Sequence, residues 1–215
     1  GVSGPPAGAA TREYDGTNWT AGGNLGTGRY VLDGDGTQTA GWVCGGNINP
    51  GSGVVSQTLT EEYNGTAWSE SGDLSNARNR HSTAGLQTAG LAFGGAAAVP
   101  MTISATSSAT EEYDGSSWTS GGTMGTGRYS VRGGGIQTNA LAYGGNVPAK
   151  TVNTELYDGT SWTEMNNLAA AATSHGGDGL GTTKSWLAVG GATNPGNTNL
   201  SLDLIKGSKI DYVNE

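Results

Sequence analysis

The chain has 215 residues, 40 of them glycine, with 34% apolar and 13% charged residues and a net charge of −8. That length suits one domain with its own core; the glycines follow no strict three-residue period, which excludes a collagen-like fibre. The acidic balance and the lack of a basic patch argue against nucleic acid as a partner, and no apolar run reaches the roughly 18 residues of a spanning helix, so membrane insertion is not expected.

The first informative stretch is Glu13-Tyr14-Asp15-Gly16-Thr17-Asn18-Trp19. It returns as Glu62-Tyr63-Asn64-Gly65-Thr66-Ala67-Trp68, as Glu112-Tyr113-Asp114-Gly115-Ser116-Ser117-Trp118 and as Leu156-Tyr157-Asp158-Gly159-Thr160-Ser161-Trp162. A worn fifth copy runs from Leu204 to Ile210. The tyrosine-position spacings of 49, 50, 44 and 48 mark a repeat architecture. Asp-Gly or Asn-Gly between β-formers predicts a two-residue hairpin turn with the aromatics on its two strands.

Taken in order, each unit contains four strand-like pieces. Piece one is expected at 29–33, 78–83, 128–132 and 173–175. Polar tips such as Asp33 to Thr39 follow. Piece two is apolar (40–44, 89–93, 140–143, 185–189) and ends in a glycine pair: Gly45-Gly46, Gly94-Gly95, Gly144-Gly145 and Gly190-Gly191. Missing Cβ atoms there permit close approach of strands. Longer linkers rich in Pro, Asn, Ser and Thr lead to piece three, with the Tyr, and piece four, with the Trp. No stretch has a convincing helical period. Short, evenly spaced strands with turn residues in every gap predict an all-β radial array of four-stranded antiparallel blades, a β-propeller. The expected single domain divides into a partial blade at 1–24 and blades at about 25–73, 74–123, 124–167 and 168–215, five in all. Gly1-Val2-Ser3-Gly4 reads either as the second glycine of a further pair, implying a longer parent, or as a leftover tag glycine.

The glycine pairs after an apolar strand, followed by Tyr14/Trp19, Tyr63/Trp68, Tyr113/Trp118 and Tyr157/Trp162, resemble the kelch repeat, with tighter spacing inside the aromatic pair. The near-identical copies, with Glu-Glu-Tyr-Asp-Gly and Leu-Gln-Thr-Ala-Gly, also resemble kelch-like structural proteins of marine tailed bacteriophages. That resemblance implies a non-enzymatic virion protein of tail, fibre or capsid, acting outside the cell. Its partners would be other virion proteins or a host-surface glycan or protein, met through rim loops. Oligomerisation is a family expectation. A lectin-like or protein-binding propeller of cellular origin is the alternative.

The aromatic pairs read best as inter-blade core, each with one polar atom at its edge; stacking on carbohydrate is the second reading for the tryptophans. Glu13, Glu62 and Glu112 precede a Tyr, and Arg29, Arg78 and Arg128 follow 16 residues later. In the fourth unit both charges vanish, to Leu156 and Ala172. The joint loss predicts salt bridges Glu13–Arg29, Glu62–Arg78 and Glu112–Arg128 between blades. Gln38-Thr39, Gln87-Thr88 and Gln137-Thr138 are expected to satisfy turn backbone or to face a ligand. Cys44 is expected as a buried small hydrophobe.

Residues for catalysis do not gather. His81 and His175 lack a matching ligand cluster for zinc. Asp33 and Asp35 hint at calcium but lack the twelve-residue loop. Gly26-Thr27-Gly28-Arg29 and Gly125-Thr126-Gly127-Arg128 precede no helix, unlike phosphate loops. No nucleophile, base and acid assemble, nor does the Tyr, His and Cys cluster of a kelch-type copper oxidase. No catalytic residue, metal or cofactor is therefore expected.

Overall fold

The structure is a computed structural model that describes residues 7–50, 53–97 and 106–173, together with the backbone of six two-residue strands between 188 and 210. Every helix or strand among the described residues is a strand. The first hairpin pairs β1 (Arg12–Tyr14) with β2 (Trp19–Ala21) and stands as a two-stranded sheet.

Three four-stranded antiparallel sheets follow, each drawn from consecutive chain. The first has β3 (Asp33–Thr37), β4 (Ala40–Cys44), β7 (Thr60–Tyr63) and β8 (Trp68–Glu70) in that order, with β5 (Asn47–Ile48) and β6 (Val55–Ser56) forming a ribbon in its long connection. The second has β9 (Ser82–Leu86), β10 (Ala89–Phe93), β11 (Thr110–Tyr113) and β12 (Trp118–Ser120). The third has β13 (Arg132–Ile136), β14 (Asn139–Tyr143), β17 (Thr154–Tyr157) and β18 (Trp162–Glu164), with the ribbon β15 (Asn146–Val147) and β16 (Ala149–Lys150). Farther on, β19 (Ala188–Val189) pairs with β22 (Ser201–Leu202), β20 (Ala192–Thr193) with β21 (Gly196–Asn197), and β23 (Ile205–Lys206) with β24 (Lys209–Ile210).

The aromatic hairpins keep one register throughout. Tyr14, Tyr63, Tyr113 and Tyr157 face Trp19, Trp68, Trp118 and Trp162 across the ladder, and the worn copy sets Ile205 opposite Ile210 in the same way. The turn differs from the Asp-Gly expectation. Asp114 N–H donates to Ser117 O at 3.2 Å, so Gly115 and Ser116 are the central pair and Asp114 flanks them. Gly115 takes φ 94°, and its equivalents Gly16, Gly65 and Gly159 lie at 95°, 87° and 92°. Positive φ at the first central residue is the sign pattern of a II′ turn, where glycine is preferred. The Asp114 carboxylate accepts the N–H groups of Ser116 and Ser117 at 2.8 Å, an arrangement shared by Asp15, Asn64 and Asp158.

The first strand of each sheet is displaced from its expected place. It begins at 33, 82 and 132 rather than 29, 78 and 128, and Asp33 to Thr37 is strand rather than tip. Two causes act. Val31, Arg80 and Ser130 take φ 51°, 52° and 49°, which interrupts an extended path just before each strand. The glycines that suggest turns lie instead where strands crowd: a Cβ on Gly133 would stand 1.9 Å from Leu141 O.

Strand β9 packs against both β3 and β13, so the sheets converge on their first strands and splay toward their last. The core lies between adjacent sheets: Trp42, Cys44, Leu74, Ala92, Tyr113 and Trp118 form one cluster, and Leu91, Phe93, Met124, Val131 and Tyr157 belong to the next. Among the described residues the arrangement is propeller-like, an arc of three complete blades. The expected blade at 168–215 lies mostly outside the described residues, as do His175 and the pair Gly190-Gly191.

Candidate functional site

The repeated residues build the seams between sheets. Tyr113 of the second sheet stacks on Trp42 of the first at a centroid distance of 6.1 Å, Trp118 meets the same ring edge-to-face at 5.5 Å, and Trp162 of the third lies 5.0 Å from Phe93 of the second. The polar edges of the rings point backward along the chain. Trp68, Trp118 and Trp162 donate from Nε1 to the hydroxyls of Thr11, Thr60 and Thr110 at 2.8, 2.9 and 2.8 Å. Tyr63, Tyr113 and Tyr157 donate to the carboxylates of Glu13, Glu62 and Glu112. Burial, then the Glu112 bond, pushes the Tyr157 phenol up to about 12, and burial and Glu62 raise Tyr113 in the same way. In the first hairpin Tyr14 and Trp19 are 47% and 69% exposed, and the Tyr14 phenol bonds its own turn at Gly16 O.

The ion pairs correct the expected partners. Arg29 binds Glu61, Arg78 binds Glu111 and Arg128 binds Glu155, the first at 2.7 Å and the last at 2.9 Å, all buried. The expected pairs Glu13–Arg29, Glu62–Arg78 and Glu112–Arg128 do not form. Adjacent residues of a strand face opposite ways, so of Glu61 and Glu62 only Glu61 turns toward the connector of its own sheet, while Glu62 faces the next sheet and takes its phenol. The pairs thus lock each connector onto its own sheet rather than tying one blade to another. Each arginine also bonds backbone carbonyls: Arg128 Nη1 donates to Asn153 O at 2.6 Å and to Gly144 O at 3.3 Å. The replacement of the glutamate by Leu156 has its own explanation in the sequence, because the following copy carries Ile205, which has no phenol to donate. Thr154 Oγ1 is likewise buried without a partner, and the following copy carries Ile210 where the others carry Trp.

The glycine pairs join one unit to the next. Gly45 and Gly46 take φ 61° and 88° at the end of β4, and Gly94, Gly95, Gly144 and Gly145 repeat this after β10 and β14. Gly46 N–H donates to Arg78 O at 2.9 Å and Gly95 N–H to Arg128 O at 2.7 Å. A Cβ on Gly45 would stand 2.5 Å from Arg78 O, so the close approach demands glycine there as much as the backbone angle does. The glutamines act similarly: Gln87 Nε2 donates to Gly41 O and Tyr63 O at 3.2 Å, and Gln137 to Gly90 O and Tyr113 O at 3.0 and 2.9 Å. They clamp each tip onto the preceding unit.

A buried polar group unforeseen from sequence lies where the first strands meet. Cys44 Sγ is 3.3 Å from His81 Nε2, and both residues are buried. Burial, helped by Arg78, Arg132 and Arg29, lowers His81 to about 3, so the ring is neutral at ordinary pH. Burial raises the Cys44 thiol far above its usual range, which leaves it a poor nucleophile. Desolvation raises Asp33 to about 6 against the opposing pull of Arg132, at 3.9 Å, and of nearby N–H groups; Asp33 nevertheless keeps a quarter of its side chain exposed. Asp33 and Asp35 sit on β3 rather than in a calcium-type loop. Strand β1 borders a space of about 470 Å³ between the first hairpin and the first sheet.

One end of the axis is distinctive. There the chain enters β3, β9 and β13 through the three left-handed residues, and there the long connections leave β4, β10 and β14. Bridges Tyr30–Asn47, Asn79–Ala96 and Tyr129–Asn146 tie each entry to the adjacent exit. Arg80 N–H donates to Val31 O at 3.1 Å and Ser130 N–H to Arg80 O at 2.8 Å, stitching successive entries together.

No protein-family model matches the chain, and no curated protein matches it. Among solved structures, one described as the structure of YjhT matches with a TM-score of 0.68 at 14% identity, over 86% of this chain and 67% of that one. At that identity the likeness is one of fold: it supports a propeller-like all-β domain and nothing finer.

Proposed function

We propose that this chain is a non-enzymatic recognition or structural domain whose contacts are made by the long connections at one end of the axis. The observation that carries the reading is the division of labour within the repeat. The recurring Tyr, Trp, Glu, Arg, Gln and Gly residues are engaged in seams, connector locks and tip clamps. The connections 47–59, 96–109 and 146–153 differ from one another in length and composition, in units otherwise near-identical. Loops that vary on a rigid frame are where binding specificity concentrates. The proposed setting is a bacteriophage virion, as a tail, fibre or capsid-associated protein meeting virion partners or a host-surface glycan or protein; the support is the resemblance of the repeats alone. A glycan array and host-cell binding by the purified chain test recognition, and mass spectrometry of purified particles tests the setting. Binding that survives exchange of all three connections would overturn the first, and absence from particles the second.

A further inference from the structure

The same end of the axis carries a cavity of about 290 Å³ that the seams do not explain. Val31, Val131 and Ser130 contribute to its wall, and Arg80, Arg132 and His81 bring its polar groups. Three features of those groups point to a ligand. Arg80 is exposed and its guanidinium has no partner among the described residues, whereas Arg29, Arg78 and Arg128 are engaged by buried glutamates. Arg132 also lines the cavity, bringing a second guanidinium to it 3.9 Å from Asp33. His81 is 98% buried, and its Nδ1 has no hydrogen-bond partner although its Nε2 meets Cys44. A buried polar atom left unpaired is uncommon and calls for an explanation.

The frame of the cavity is fixed in advance. Val31, Arg80 and Ser130 all hold left-handed backbone, an outlying conformation for a β-branched residue, and hydrogen bonds between successive entries pin them there. Strain held by its surroundings beside a cavity is a mark of pre-organisation. In a chain of net charge −8, two arginines at one opening also make a local field that favours an anion.

We propose that this axial cavity binds a small organic acid through its carboxylate, with Arg80 and Arg132 as the charged donors and His81 as a buried hydrogen-bonding edge. A planar guanidinium matches a carboxylate's two oxygens. Two arginines beside one aspartate suit a monoanion, and the valines suit a carbon body. The volume lies at the small end of ligand pockets, which fits an acid of monosaccharide size.

Calorimetric titration of the whole chain with glucuronate, methyl glucuronide, glucose and sulfate tests the proposal. Saturable glucuronate binding, at least tenfold tighter than glucose, is expected. Binding of the methyl glucuronide as well would identify a glycan end as an admissible source of the carboxylate; binding of the free acid alone would identify a soluble metabolite. Arg80→Gln should weaken glucuronate at least tenfold with the melting temperature unchanged, and Arg80→Lys should retain part of the affinity. Glucose binding as tightly as glucuronate, sulfate binding in its place, no saturable binding, or unchanged affinity in both Arg80→Gln and Arg132→Gln would each overturn it. Failure here leaves the recognition reading intact, since that reading concerns the connections.

Discussion

Threonine and tryptophan illustrate how a single polar atom decides its own worth at a seam. Thr110 accepts the Trp162 indole at 2.8 Å, whereas Thr154 at the equivalent position is buried with its hydroxyl unpaired. Thr110→Val should therefore cost about 1–3 kcal/mol, the penalty of leaving the indole donor without a partner, and Thr154→Val should be neutral or stabilising. Chemical denaturation of the two variants measures the contrast. His81 sets a pH dependence of known sign. Its folded value of about 3 lies below the ordinary value near 6.5, so folding stability is full above the ordinary value and is lost as pH falls toward 3, by up to about 1.4 kcal/mol per unit. Asp33, raised to about 6, acts in the opposite sense: its contribution is lost as pH rises from the ordinary carboxylate value toward 6. Denaturation of His81→Gln between pH 6.5 and 4 should show less loss on acidification than the parent chain. An equal slope would place the acid sensitivity elsewhere.

Within the sheets, the hairpin and the connector lock are the elements that the repeat preserves. Arg128→Met leaves Glu155 buried and unpaired and should cost about 3–5 kcal/mol. Adding Glu155→Met should recover only part of it, because Gly144 O and Asn153 O also lose their donor. Gly115→Ala, at φ 94°, should destabilise by about 1 kcal/mol or more, readable as a lowered denaturation midpoint. These elements also show how far the sequence could be read. The aromatic hairpins were legible because Tyr, Gly and Trp recur at fixed offsets, and β-formers around a glycine turn leave few alternatives. The glutamate partner was not: Glu61 and Glu62 are adjacent, and only strand alternation separates the connector lock from the phenol acceptor. A signal was present, however, in the pairing of Leu156 with Ile205. The entry strands were misplaced because glycine has two uses, turning a chain and letting strands crowd, and composition does not distinguish them. The axial cavity left no sequence signal at all, since Arg80, His81 and Arg132 come from two units and meet only through convergence of the sheets.

At the scale of the molecule, successive repeats are neighbours in space: each reaches back to the last through a phenol and an indole, and forward to the next through a glycine amide. Such a nearest-neighbour design predicts that damage at one seam spreads only to adjoining units. It also leaves the outer loops free to diverge without disturbing the frame, which is why a fold likeness at 14% identity says nothing of ligand. The most direct test of the central claim, that aromatic hairpins form equivalent seams between converging sheets, is hydrogen exchange of the tryptophan indoles by NMR. Trp68, Trp118 and Trp162, each donating to a threonine of the preceding unit, should exchange slowly, while Trp19, 69% exposed, should exchange fast. Equally rapid exchange of all four would contradict the account.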